Sequence, residues 1–228
     1  FYIIGGLIVI FYNINNLQTA LKAIFTDAFN FRALSSGAFG FASSKSIKYG
    51  ISRGVFSNEA GLGSSPIIYS AAEENEPIIQ GMWGIFQVFF DTIIGCSITA
   101  LCILTSGFND YKTDSVALSI SAFNSVFGKY GSLFVSSSII MFAFATIIGW
   151  SYYGEKSLEY IFKGKYNLVY KALYVILILF GSVMDLNLVW DISDTFNGLM
   201  AIPNLIALIV LSNQVINAYN KYTKKLSS

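Results

Sequence analysis

An all-α integral membrane chain is the fold class this sequence predicts, and three observations predict it. Apolar residues, counting Tyr, Trp and Cys, make up 54% of the 228 residues and charged ones only 12%, about half the charged share of an ordinary soluble domain. The apolar residues gather into runs over 78–104, 133–153, 166–185 and 192–211, each close to or beyond the roughly 20 residues that carry a helix across a bilayer. Lysine and arginine collect in alternate connections between those runs, the pattern left by the positive-inside rule. A lipid bilayer is thus the first expected partner. The formal net charge of +1 offers no basic field for nucleic acid. With no histidine, Ser-His-Asp triads, imidazole metal sites and the usual neutral-pH proton shuttle are absent from the sequence. Cys96 and Cys102 lie in one apolar run, where thiols behave as small hydrophobes, and two are too few for a zinc site. No cofactor and no bound metal are expected.

Taken in order, the chain opens at Phe1 inside the apolar run 1–12, without a basic leader or a small-residue cleavage site. That predicts a partial span, the end of a helix whose start lies upstream. After the polar break 13–16, a broken helix is expected over 17–49. Leu17, Ala20, Leu21, Ile24, Ala28 and Phe31 keep a helical period. The small, hydroxylated stretch Ser35-Ser36-Gly37-Ala38-Phe39-Gly40 then interrupts it, and helical character resumes as far as Tyr49. A break near the middle of a span frees backbone N–H and C=O groups that can hold a ligand in the membrane; the same glycines can instead serve close helix packing.

Residues 50–66 are the compositional anomaly of the chain: Arg53, Asn58 and Glu59 stand beside Gly54, Gly61 and Gly63, with Pro66 at the end. Such a segment reads as a hinge, a cap or a site. A phosphate cradle is disfavoured, because the Lys-Ser/Thr of a P-loop is missing. The span 78–104 follows the Asn75-Glu76-Pro77 turn and carries one acid, Asp91. An intramembrane carboxylate is costly and defaults to a functional reading, although pairing with Arg53, Lys48 or backbone groups would also account for it. Over 105–130, Val116, Ile120, Phe123 and Phe127 keep a helical period within a polar stretch, which predicts a surface helix. In 133–153, Thr146 and Trp150 stand four apart and so share a helix face. A backbone-bonded threonine and an interfacial tryptophan fit that pair as well as a binding site does. The spans 166–185 and 192–211 complete the set, the last tolerating Pro203 because neighbours can satisfy the freed backbone groups. The basic connections carry Lys45, Lys48 and Arg53, then Lys156, Lys163, Lys165 and Lys171, then Lys221, Lys224 and Lys225, while 185–194 carries none. The segment 50–66 and the C-terminus are therefore expected on the cytoplasmic side.

Three stretches also carry a resemblance. Phe56-Ser57-Asn58-Glu59-Ala60-Gly61-Leu62-Gly63-Ser64-Ser65-Pro66, the order Ala28-Phe29 then Gly37-Ala38-Phe39-Gly40, and Phe142-Ala143-Phe144-Ala145-Thr146-Ile147-Ile148-Gly149-Trp150-Ser151-Tyr152-Tyr153-Gly154-Glu155 resemble the alanine or glycine:cation symporters of bacteria and archaea. Phe90-Asp91-Thr92 is similar to the family as well. The resemblance covers nearly the whole chain but only about the second half of a family member. It implies a LeuT-type inverted-repeat transporter fold of which this chain holds the second repeat only, about helices 6 to 10 plus the end of helix 5, in a multi-pass protein of the bacterial or archaeal cytoplasmic membrane. It further implies a secondary transporter and no enzyme: sodium-coupled symport, or proton-coupled symport, of a small neutral amino acid such as alanine or glycine, by alternating access. Carried over residue by residue, Ser36, Gly37, Ala38, Phe39 and Gly40 would face the amino acid, Trp150 would limit its side chain, and Thr146 would serve substrate or the sodium ion. Arg53, Asn58, Glu59, Gly61, Gly63 and Asp91 would belong to gating or structure. Ala145 departs from relatives, which commonly place Ser or Thr there. The competing class is a non-transporting membrane subunit or pore component; an intramembrane enzyme lacks a recognisable nucleophile and base.

Overall fold

The computed structural model describes residues 1–29, 37–74, 76–107 and 115–227. Every regular element among them is helical. In chain order these are α1 (Tyr2–Tyr12), α2 (Ile14–Ala28), α3 (Gly37–Asn58), α4 (Ser65–Tyr69), α5 (Pro77–Phe89), a π-helical segment (Phe90–Cys96), α6 (Ser97–Thr105), α7 (Ser115–Phe127), α8 (Lys129–Phe162), α9 (Asn167–Val183) and α10 (Leu186–Leu226). Among the described residues, three continuous helical stretches are long and apolar enough to cross a membrane: Pro77–Thr105, Lys129–Phe162 and Leu186–Leu226, of 29, 34 and 41 residues. A fourth candidate is the pair α1 and α2, which bends by 99° at Asn13. α9, at 17 residues, is apolar but shorter.

The chain divides into two compact units, each built from segments distant in sequence. The first holds residues 1–50 and 88–145. Its core is Val9 and Ile10 of α1, Ile98 and Cys102 of α6, Ala122 and Phe123 of α7, and Val135 of α8. α1 can approach α6 closely because Gly6 has no side chain: a Cβ there would collide with Ile98. The Cys102 thiol donates to the Gly6 carbonyl at 3.2 Å across the same contact. Polar groups caught in the packing are paired, Tyr2 with Thr99 through their hydroxyls at 2.9 Å and Asn16 Nδ2 to the Thr105 carbonyl at 2.8 Å. Phe123, Phe127 and Phe134 stack with ring centroids 5.3 to 6.2 Å apart. This corrects the expectation of a surface helix over 105–130. Phe123 of α7 is 0% exposed and Ile120 and Phe127 pack against the core, whereas Val116 stays exposed.

The second unit holds residues 51–87 and 146–228. α9 is tied to the C-terminal part of α8 by two tyrosines, Tyr174 donating to the Ile147 carbonyl at 2.9 Å and Tyr170 to that of Ser151 at 3.3 Å. Tyr170 lies over Gly154, where any Cβ would strike its hydroxyl. α10 starts at Asp185, whose carboxylate accepts the backbone N–H groups of Asn187 and Leu188 at 3.0 and 3.3 Å, a side-chain N-cap. The helix runs on through Pro203 to Leu226 without ending where the apolar run ends. So two further expectations change. The stretch 186–194 is the first turns of a helix and not a connection, and α3 runs on past Tyr49 through Arg53 to Asn58.

Candidate functional site

The segment that closes α3 folds as a left-handed turn. Asn58 is the last residue of α3, Glu59 follows with φ 53°, and Gly61 and Gly63 have φ 77° and 80° before α4 begins at Ser65. Glu59 adopts a conformation uncommon for a residue with a Cβ, and its carboxylate is committed locally: Oε2 accepts the hydroxyls of Ser64 at 2.7 Å and Ser65 at 3.0 Å. Ser64 is 1% exposed, so that acceptor is what makes its burial tolerable. The turn is fastened to α10 by Asn204, whose Nδ2 donates to the Gly61 carbonyl at 2.9 Å. Gly63 is doubly required. Its φ is that of glycine, and a Cβ there would stand 2.7 Å from Asn204 Oδ1. At the far side of the turn, burial and the Glu59 carboxylate push the Tyr69 phenol above its ordinary pKa, while its hydroxyl donates to Gln87 at 2.7 Å.

One turn and a half before Asn58, Arg53 is neutralised within the same unit. Its Nη1 donates to Asp194 Oδ1 at 2.9 Å, and Ser52 Oγ donates to the same oxygen at 2.8 Å. The guanidinium also lies 3.5 Å from the centroid of the Trp190 ring, a cation–π contact reinforcing a charge-assisted hydrogen bond. Phe56 meets the edge of Trp190, ring centroids 5.4 Å apart at 76°.

Phe56 has a second neighbourhood. It lines a cavity of about 260 Å³ together with Thr146, Trp150, Tyr174, Ser193 and Asn197. Thr146 and Trp150, matched by spacing, do share this wall of α8, and Ser193 and Asn197 present the corresponding i, i+4 pair from α10. The cavity is mostly apolar with a few convergent polar groups, the make-up of a small-ligand site. Asn197 is 8% exposed.

The other residues singled out from the sequence fall elsewhere. Gly37, Ala38, Phe39 and Gly40 open α3 within the first unit, and Ser36 lies outside the described residues. Asp91 stands in the π-helical segment, also in the first unit. There it borders a different cavity, of about 590 Å³, with Tyr2, Thr99, Ser119 and Phe142. A π-helical turn inside a helix is often found at functional sites. Sequence reasoning passed over Trp190, Asp194, Asn197 and Asn204. The available signal was their polarity within a run otherwise apolar enough to cross a membrane.

All-helical architecture, three spanning-length apolar helices and a cavity bordered by intramembrane polar side chains define a multi-pass membrane protein. Comparison with known proteins is specific. The family model of the sodium:alanine symporter family matches residues 1–228, and the chain belongs to that family. It is 41% identical over 231 residues to the sodium/alanine symporter AgcS of Methanococcus maripaludis, covering 98% of this chain and 50% of that protein. It is 38% identical over 226 residues to the probable sodium/glutamine symporter GlnT of Bacillus subtilis, covering 98% and 46%. It is also 34% identical over 225 residues to the amino-acid carrier protein AlsT of the same organism, covering 98% and 47%. The chain spans about half the length of the curated relatives it matches.

Proposed function

We propose that this chain supplies the second of two inverted repeats of a LeuT-type transporter, which carries a small neutral amino acid, alanine or glycine, into the cell together with sodium. Membership of the sodium:alanine symporter family supports the class of activity, and the names of the relatives support sodium and an amino acid as the two solutes. The observation that carries the reading to residues is the second-unit cavity, which gathers Thr146, Trp150 and Phe56 around a space fit for a small solute. Thr146 Oγ1 is a hard oxygen suited to sodium or to a substrate hydrogen bond, and the Trp150 ring limits how large a side chain enters. The small-residue segment from Ser36 to Gly40, Phe39 included, is kept as a further set of substrate-binding groups on the strength of its resemblance to the family. Arg53, Asn58, Glu59, Gly61 and Gly63 make the fastened turn against which access alternates, and Asp91 serves gating from its π-helical segment. The protein lies in the cytoplasmic membrane of a bacterium or archaeon with the 50–66 segment inside, as the run of Lys45, Lys48 and Arg53 favours.

The test is uptake of labelled alanine by the full-length protein in proteoliposomes with an imposed inward sodium gradient. Accumulation that collapses when sodium is replaced by potassium supports symport. Uptake indifferent to sodium and to a proton gradient favours a pore component.

A further inference from the structure

Asn197 carries a carboxamide with one strong acceptor and two N–H donors, yet it makes no hydrogen bond among the described residues and is 8% exposed. Such a group without a protein partner, at the wall of a mostly apolar cavity, is placed to pair with a polar group of a solute that enters it. The cavity itself narrows what that is. Among the described residues its other polar members are Thr146 and Ser193, the Tyr174 hydroxyl is already committed to the Ile147 carbonyl, and no charged side chain lines it. The remainder of the wall is Phe56, Ile147, Trp150, Phe196 and Met200. A ligand group carrying a full charge would find no counter-charge there, whereas a neutral hydroxyl or carboxamide would find an apolar lining and one matched partner.

We propose that Asn197 is a specificity-determining residue that hydrogen-bonds the side chain of the transported amino acid, and so extends the substrate class from alanine to small neutral amino acids bearing a hydroxyl or a carboxamide, such as serine and asparagine. This rests on the reading of Thr146 and Trp150 as lining the substrate's side-chain pocket. Asn197 stands one helical turn from Ser193 on the face of α10 that borders the cavity. An added hydroxyl in a wholly apolar pocket is poorly distinguished, but a pocket with a buried partner for it discriminates strongly against analogues lacking it.

The experiment compares matched pairs in full-length protein under a sodium gradient: inhibition of labelled alanine uptake by serine against 2-aminobutyrate, and by asparagine against leucine. In the wild type the polar member of each pair is expected to inhibit about tenfold better. In Asn197→Leu, close in size, that ratio falls to about one, read as a ratio at whatever alanine uptake the variant retains. Should Asn197→Leu not accumulate in the membrane, Asn197→Ala is read in the same way. Wild-type protein that favours the apolar member, or a ratio that survives either substitution, overturns the assignment. A variant that changes only the sodium concentration for half-maximal uptake also overturns it, making Asn197 a cation ligand. Absence of any sodium-dependent uptake in the wild type is a separate result, and it sinks the symport reading itself.

Discussion

Arg53 Nη1 donates to Asp194 Oδ1 over 2.9 Å, joining residues 141 apart in sequence. Both side chains are about one-third exposed, so the pair is neither a surface bridge nor a dry one. Asp194→Asn keeps the shape and removes the charge. It is expected to destabilise the protein by about 1–3 kcal/mol, in the range for hydrogen bonds to charged groups. Arg53→Ala should cost more, because the stacking on Trp190 goes too. Thermal unfolding in detergent of the two single variants and the double variant gives the coupling; additive losses would show that the pair contributes nothing.

Gly63 sits at φ 80° with Asn204 against it. Gly63→Ala should therefore lower stability by about 1–3 kcal/mol. Gly81 lies inside α5 with open space for 4 Å around the place a methyl group would take, so Gly81→Ala is expected to be neutral or slightly stabilising. Asn204→Ala in the Gly63→Ala background recovers only the steric part. Full recovery would mean that the backbone conformation carries no strain.

Trp150→Ala opens the second-unit cavity on its α8 side. In the intact transporter it should admit larger neutral amino acids and weaken alanine, each by the roughly 1–3 kcal/mol that apolar contacts give in substrate discrimination. Competition of alanine uptake by valine and leucine, at matched surface expression, measures it. An unchanged rank order assigns Trp150 to anchoring alone.

Lys225 Nζ lies 2.6 Å from Glu76 Oε1, outside the apolar part of the chain, and it holds the Glu76 carboxyl below its ordinary pKa, mainly by that hydrogen bond and then by its charge. A depressed folded-state pKa gives stability that is fully present above the unfolded value and lost as pH falls through the folded one. The melting-temperature difference between wild type and Lys225→Ala should thus be constant near neutrality and vanish in acid below the usual carboxylate range. It should also shrink with salt, because the pair is exposed. A difference that grows in acid would contradict the linkage.

Much of the architecture is legible in the apolar runs and their breaks, because a helix that meets lipid must announce itself by length and composition. The spacing of Thr146 and Trp150 also locates a shared face, since four residues make about one turn. What the sequence withholds is which faces meet. The period through Val116, Ile120, Phe123 and Phe127 marks a stripe but not its surroundings. Phe123 is buried by residues from α1, α6 and α8 that only tertiary packing brings near. Arg53 has several acids in reach by composition, and nothing in a linear reading selects Asp194 over Asp91. Asn197 is a middle case: its polarity within an apolar run is visible, whereas its lack of a partner among the described residues is a property of three-dimensional space alone.

The burial within α10 bears on how the protein is made. None of its most apolar 18-residue window is buried inside the chain, against 17% for each of the other two long spans. Its entry into the bilayer therefore depends on its own partition between translocon and lipid. Asn204, inside that window, burdens the step and offsets it only when its amide meets the Gly61 carbonyl. Biosynthesis and assembly thus pull on Asn204 in opposite directions: a less polar replacement there should insert at least as readily, and then lose its hold on the turn.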